Sequence, residues 1–302
     1  MRAYVAVTDK DWFDFLRSRP HLDEVNFWQP SAQRPFAAIR AGGLFLFKLK
    51  YPTHKIVGGG MLAWSGTFPY PYVWELFEDK NGAASLADMK SRIQRLRRSP
   101  LDPGTSDVGC IVLVQPFFLA EDDWIDAPPD WSRNIVQGKT YNLESFYGQR
   151  LLEEVETKAR RTAMREIEGP MWGDPTLVRR RLGQGAFRTL VTEAYERRCA
   201  VTGERALPVL QAGHIRPVTE GGGHRVDNGV LLRSDVHTLF DRGYVTITPD
   251  QDFRVSPRLR DDFDNGDAYY SLEGRDLWIP SAAEDRPSRE FLEWHNDVVF
   301  LR

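Results

Sequence analysis

Cysteine is almost missing: the 302-residue sequence has two, Cys110 and Cys199. Two thiols cannot build a disulfide framework, so a disulfide-stapled secreted domain is excluded and a reducing cytoplasm is expected. Long apolar runs are also absent. Stretches such as "CIVLV" (110–114) fall far short of the ~20 residues that span a bilayer, so no membrane association is expected. The opening "MRAYVAVTDKDWFDF" carries no apolar core of the signal-peptide type, a second reason to expect a cytoplasmic chain. Excess charge of one sign is lacking, with a net charge of only -3. That argues against a surface coated in basic residues, although a local patch can hide inside a neutral total. No repeat or low-complexity tract occurs. Histidine is scarce at 6 in the whole chain, yet His214, His224 and His237 fall close together.

What is present reads as two ordinary domains. Residues 1–141 alternate between helix and strand patterns. "DKDWFDFLRSR" is a short helix, and "EVNFWQP", "GGLFLFKLK", "KIVGGGMLAW" and "GCIVLVQPFF" are strand-like. "LFLFKLK" is apolar at nearly every position, as a strand buried on both faces would be. "YPTH" between Lys50 and Lys55 is a turn, so 44–64 is expected to form a hairpin. "LADMKSRIQRLRRS" (86–99) is an amphipathic helix ended by Pro100.

Residues 142–185 read as a helical, basic linker, with Gly169, Pro170, Gly173 and Pro175 marking the joint. The basic runs "KARRTAMREIEG", "VRRRLGQGAFR" and "YERRC" suit either a solvated helix face or a phosphate-contacting surface. Residues 186–302 form the last domain. Its short strands "YVTITPD" and "FRVS" and its final helix "SREFLEWHNDVVF" are expected to brace the segment before them.

That segment, "LQAGHIRPVTEGGGHRVDNGVLLRSDVHTLFDRG" (210–243), carries the chemistry. "VLQAGHI" and "NGVLLR" are strands around a Gly-rich loop. "SDVHTLFDRG" is a short helix with Ser234 as its N-cap and Gly243 as its stop. His237 and Asp241 stand at i and i+4 on one helix face, a spacing that lets two side chains bind one divalent cation. His214 comes from the facing strand. Phosphodiester hydrolysis needs a base to activate water and a cation to stabilise charge on the phosphate. A neutral imidazole and a mixed His/Asp site suit those two tasks.

At "AGHIRP…DNGVLLRSDVHTLFDRG" the chain resembles the HNH nucleases, the ββα-metal fold. The resemblance implies that His214 is the general base and that Asn228 fixes the loop across the hairpin, orienting the His214 backbone. It implies that His237 ligates the metal, expected to be Mg²⁺, or Mn²⁺, Ni²⁺ or Co²⁺. Many relatives place a His or Asp directly before the base. Here Gly213 stands there, and Asp241 is the candidate second ligand, with a helix-end turn residue or an arginine partner as its alternative. Many relatives also carry paired CxxC zinc knuckles. "CAVTGE" keeps Cys199 alone, so no structural zinc is expected and Cys199 reads as a small buried apolar residue. His224 reads as an exposed loop residue, Arg216 as a phosphate contact or an ordinary surface residue, and Gln211 receives no role.

The stretch "NFWQPSAQRPFAAIRAGGLFLFKLKYPTHKIVGGGMLAW" resembles the PUA-like superfamily, especially its EVE, YTH and ASCH branches. That resemblance implies a β-barrel with helices, holding an aromatic cage for a flipped, modified base. Stacked aromatic walls satisfy both the π-face and the added apolar group of such a base. Trp28, Trp64 and Trp131 are the candidate walls, and the Asn26 amide could read a base edge. Ordinary core packing is the alternative for each tryptophan.

The expected fold class is therefore α+β: a PUA-like barrel, a helical linker and an HNH domain. The expected activity is a modification-dependent restriction endonuclease acting on double-stranded DNA carrying, for example, 5-methylcytosine or 5-hydroxymethylcytosine. A single HNH site cuts one strand, so a homodimer is expected. Two other readings remain open: a nucleic-acid-binding module with a degenerate nuclease domain, and a defence nuclease switched on by a small ligand.

Overall fold

The computed structural model describes every residue except 20–21, 32–35, 98, 103–105, 133 and 164–181. The described chain divides into two compact units, Met1–Ala186 and Phe187–Arg302. The expected joint at Gly169, Pro170, Gly173 and Pro175 lies outside the described residues.

The first unit is built on strands β1 (Arg2–Thr8), β2 (Glu24–Gln29), β3 (Leu44–Leu49), β4 (Lys55–Pro69), β5 (Asp107–Phe118), β6 (Ile125–Asp126) and β7 (Gly138–Asn142). They join in one sheet of order β2-β5-β4-β3-β1-β7, with β6 alongside β4. β3 and β4 form the expected hairpin, with Phe45 opposite Gly60 and Phe47 opposite Gly58. β1 and β3 run parallel, and β7 returns antiparallel to β1.

All six residues of β3 are buried, and strand alternation explains how. Phe45 and Phe47 join one hydrophobic cluster with Trp12, Phe13, Leu16 and Val25. Leu44 and Leu46 join another with Val5, Ile56, Trp131, Tyr141, Leu151 and Val155. Helix α1 (Lys10–Arg17) buries Trp12, Phe13 and Leu16, the i, i+1, i+4 stripe of one helix face. Burying each such side chain stabilises the fold by about 1.5–3 kcal/mol.

Among the described residues no pairing joins β2 to β7, so strand pairing does not close the expected barrel. β3 has a hydrophobic cluster on each of its faces. Helix α2 (Tyr70–Phe77) carries no periodic signal because "YPYVWELF" is apolar nearly throughout. Helix α3 (Leu86–Leu96) matches the expected amphipathic segment, with the Ser85 hydroxyl accepting the Asp88 N–H at its start. Helix α4 (Phe146–Ala163) supplies Leu151 and Val155 to the second cluster, one turn apart.

Helix α5 (Gln184–Ala194) contains the division between the units. Beyond it β8 (Leu210–His214) and β9 (Gly229–Arg233) pair antiparallel, with Ala212 opposite Leu231 and His214 opposite Gly229. Helix α6 (Ser234–Asp241) follows β9 directly. With no turn between them, extended Arg233 takes the cap position and Ser234 becomes the first helical residue, so the expected Ser234 cap is not made. Gly243 ends the helix at a φ of 76°, its N–H reaching the Phe240 carbonyl at 3.0 Å.

Strands β10 (Val245–Ile247) and β11 (Phe253–Val255) pair with each other. Helices α7 (Arg258–Phe263), α8 (Asp267–Tyr270) and α9 (Arg289–Val298) complete the unit. On α9 the buried His295 ties three elements together. Its Nε2–H donates to the Phe240 carbonyl of α6 at 3.1 Å, and its Nδ1 accepts from Thr246 Oγ1 of β10 at 2.8 Å. Its ring stacks on Phe240 at 3.8 Å. No helix among the described residues is long and apolar enough to cross a membrane.

Candidate functional site

Asn228 is fully buried at the junction of the Gly-rich loop and β9. Its Oδ1 accepts the Arg216 N–H at 2.9 Å, and its Nδ2 donates to the carbonyls of Arg216 at 2.8 Å and Gly223 at 3.1 Å. Its own carbonyl accepts the Ile215 N–H at 2.9 Å. The side-chain amide thus satisfies backbone groups at both ends of the loop, and together with its backbone carbonyl Asn228 holds the two residues that follow His214. The loop can close this tightly only because residue 222 is glycine. A Cβ there would lie 1.9 Å from the Arg216 carbonyl oxygen and 2.5 Å from Asn228 Nδ2.

His214 ends β8. Its ring lies flat on Phe187 of α5, with centroids 4.0 Å apart and planes 10° from parallel. Burial pushes the imidazole down to about pKa 4, with the neighbouring His224 and His237 acting in the same direction. The ring is therefore neutral throughout the physiological range, the state a general base requires. Its Nε2 contacts Nδ1 of His224 at 3.0 Å. His224 was expected to be an exposed loop residue; it is instead half-buried and packs beside Phe187 and His214.

His237 and Asp241 face each other on α6, with Nε2 and Oδ2 3.5 Å apart. The other ring nitrogen, Nδ1, meets Gln211 Oε1 of β8 at 2.8 Å. An amide oxygen only accepts, so Nδ1 carries the proton and Nε2 keeps its lone pair on the Asp241 side. A hydrogen bond at one ring nitrogen fixes the direction in which the other presents its lone pair. Gly213 explains the missing ligand position: a Cβ there would come within 2.5 Å of His237 Nε2 and Cδ2. The His237 ring fills the space that a side chain at 213 would need.

Among the described residues no group of three or more His, Cys, Asp or Glu side chains is placed to hold a metal. The His237–Asp241 pair supplies two donors, one aromatic nitrogen and one exposed carboxylate. Two such donors would suit a divalent cation that keeps part of its water shell, and the ion would supply charge stabilisation at a phosphate. Partial desolvation raises the Asp241 carboxyl, with His237 opposing.

Helix α9 presents Phe291 and Trp294 to two loop arginines. Arg225 lies over Phe291 at 5.3 Å and Arg216 over Trp294 at 5.5 Å. Arg216 has a buried Nε with no hydrogen-bond partner. Cys199 is buried, and its sulfur accepts the N–H groups of Thr202 at 3.4 Å and Arg233 at 3.2 Å.

The first unit contains a cavity of about 780 Å³ walled by Tyr4, Trp12, Phe27, Trp28 and Phe36. Asp9 and Lys50, which form an ion pair, also line it, as do Gln29 and Gln137. Of the four expected pocket residues, Trp28 alone lines this cavity. Its indole N–H donates to the Asn81 carbonyl at 2.9 Å. Asn26 is fully buried, with Nδ2 donating to Asn81 Oδ1 at 2.9 Å, so its amide holds Asn81 and does not line the cavity. Trp64 packs beside Phe68 at 5.4 Å. Trp131 belongs to the hydrophobic cluster of Leu44 and Leu46, with the Lys48 ammonium 4.9 Å from its ring centroid.

Sequence reasoning passed over Gln211, His224 and Phe187. Gln211 had a signal: two residues before Gly213 on the same strand, it shares the face that meets His237. His224 had only the scarcity of histidine, since a Gly-rich loop has no periodicity to read.

Comparison with known proteins gives one family match: residues 199–248 fit the HNH endonuclease model HNH_2. No curated protein matches the chain. Among solved structures, ASCH from Zymomonas mobilis covers 50% of this chain and 94% of its own, at 10% identity and a TM-score of 0.36. The modification-dependent TagI restriction endonuclease covers 97% of this chain and 80% of its own, at 13% identity and a TM-score of 0.28. Those two likenesses are too slight to carry an argument. The family match spans β8, the Asn228 clamp, β9 and α6, and it makes residues 199–248 an HNH endonuclease domain.

Proposed function

We propose that the chain is a metal-dependent DNA endonuclease of the modification-dependent restriction type, cutting with its HNH domain and reading a modified base with its first unit. The observation that carries the reading is the presence on one chain of an HNH hairpin with its histidines oriented and a separate aromatic-walled cavity. A flipped base placed beside Trp28 would stack on aromatic faces, while Gln29, Gln137 and Asp9 offer polar groups to its edge. Cytosine modified at position 5, with a methyl or hydroxymethyl group, is the proposed class of base. The PUA-like resemblance of 1–141 supports this division of labour, with 142–185 as linker and 186–302 as nuclease domain.

In the second unit, neutral His214 takes a proton from the attacking water. Asn228 keeps the Arg216 backbone fixed, and Arg216 stands near the loop as a phosphate contact. His237, oriented by Gln211, and Asp241 would hold a divalent cation such as Mg²⁺ or Mn²⁺. That ion supplies charge stabilisation at the scissile phosphate and leaving oxygen. Cutting both strands of a duplex requires two such sites, so the working form is proposed to be a homodimer.

The test is cleavage of plasmids that are unmodified or carry 5-methylcytosine, 5-hydroxymethylcytosine or N6-methyladenine, in Mg²⁺, Mn²⁺ or EDTA. The proposal expects cutting confined to one cytosine-modified DNA and abolished by EDTA. Equal cutting of every DNA would remove the base-reading half. Tight binding without cutting would favour a binding module.

A further inference from the structure

Hydrolysis as proposed needs one basic imidazole, yet two imidazoles meet at this site. Nε2 of His214 and Nδ1 of His224 are 3.0 Å apart, a hydrogen bond between ring nitrogens. One proton lies in that bond, and only two arrangements exist. If His224 donates, the Nε2 lone pair of His214 is consumed and its proton sits on Nδ1, which leaves no free lone pair on the ring. If His214 donates from Nε2, its Nδ1 keeps a lone pair. Among the described residues Nδ1 of His214 has no hydrogen-bond partner, so that lone pair is available to water. Only the second arrangement gives a base.

We infer that His224 is a positioning residue for His214, accepting the Nε2–H of His214 on its own Nδ1 and so fixing the tautomer in which His214 Nδ1 is the base. The functional consequence rests on the nuclease reading, whereas the contact rests on geometry. The surroundings support it. Phe187 fixes the plane of the His214 ring from one face and also packs beside His224. Asn228 Nδ2 bonds the Gly223 carbonyl directly before His224, so the amide that fixes the strand end also seats the second histidine.

In the reaction, a water O–H bond breaks and its proton joins the Nδ1 lone pair of His214. The oxygen forms the new bond to phosphorus, and the leaving oxygen departs with its bonding pair and takes a proton from solvent. The imidazolium left on His214 then donates its Nε2–H to His224, which stabilises the charge as the orienting member of a catalytic triad does.

The experiment uses the full chain and the DNA that wild type cuts. Asn places its Oδ1 where the imidazole Nδ1 stood, whereas Gln carries its oxygen one bond further. His224→Ala should lower kcat about 10- to 100-fold with KM nearly unchanged, the range seen for groups that orient active-site histidines. His224→Asn should recover most of that loss, and His224→Gln little of it. Imidazole ¹⁵N NMR should find His214 protonated on Nε2 in wild type and in His224→Asn. Wild-type cutting by His224→Ala, an Asn variant no better than Ala, or an Nδ1-protonated His214 would each overturn the inference. If His214→Ala itself cuts like wild type, the nuclease reading fails separately, and the NMR tautomer still decides for or against the contact.

Discussion

The histidine site and the aromatic cavity hold their key residues in opposite ways. In the second unit Gln211, His214, His224, Asn228 and His237 lie within one continuous stretch, and most are fixed by hydrogen bonds of 2.8–3.1 Å. In the first unit Tyr4, Trp12, Phe27 and Phe36 come from β1, α1, β2 and the segment beyond it and are held by packing, with Tyr4 on Phe36 and Trp12 on Phe27 both edge to face. Trp28 adds a single hydrogen bond, to a carbonyl 53 residues away. A site of directional contacts fails when one atom is lost, because each orphaned partner is left unsatisfied. A site of apolar walls weakens in proportion to the area removed. The nuclease site should therefore be brittle and the cavity graded.

The largest expected effect is at His214. His214→Ala should lower cleavage about 10²- to 10⁴-fold, the usual contribution of a general base. A loss smaller than tenfold would break the comparison at its root. Asn228→Ala comes next. It strands the Arg216 N–H and two carbonyls in a buried place, so urea unfolding should show a loss of about 3 kcal/mol.

Acid should also act on the second unit. Burial lowers His295 to about pKa 4, so the folded state binds its proton more weakly than the unfolded chain does. Its contribution is intact above the ordinary histidine value of ~6.5 and is lost as pH falls towards 4, by up to about 3 kcal/mol. Melting curves across that window check this, and His295→Gln should flatten the pH dependence.

Trp28→Ala should be milder and different in kind. It should cost about 2 kcal/mol of preference for modified over unmodified DNA in a binding titration, the worth of one stacked base. Cutting at saturating DNA should survive. Gln211→Ala is the smallest: apparent metal affinity, read by titration calorimetry, should fall about tenfold.

The same contrast decides how much could be read from the sequence. The hairpin was legible because its order in the chain is its order in space, and the i, i+4 pair of His237 and Asp241 needs no distant partner. Strand β3 was legible because burial on both faces makes it apolar at nearly every residue. The cavity was not, because its walls depend on β1 inserting between β3 and β7, a pairing no local pattern reports. Asn26 looked like a base reader for the same reason. Its surroundings are set by β2 lying against β5, with Asn26 opposite Val112, and by Asn81 from a distant turn. Ser234 failed as a cap because propensity assumes a turn before the helix and β9 leaves none.

The central claim is that cutting and reading are separate tasks, with His214 performing the first and the Trp28 cavity the second. The most direct measurement is cleavage of one duplex, with and without 5-methylcytosine or 5-hydroxymethylcytosine, by wild type, His214→Ala and Trp28→Ala. The account predicts that His214→Ala cuts neither form, and that Trp28→Ala still cuts but no longer favours the modified one. Undiminished preference in Trp28→Ala, or undiminished cutting in His214→Ala, would contradict it.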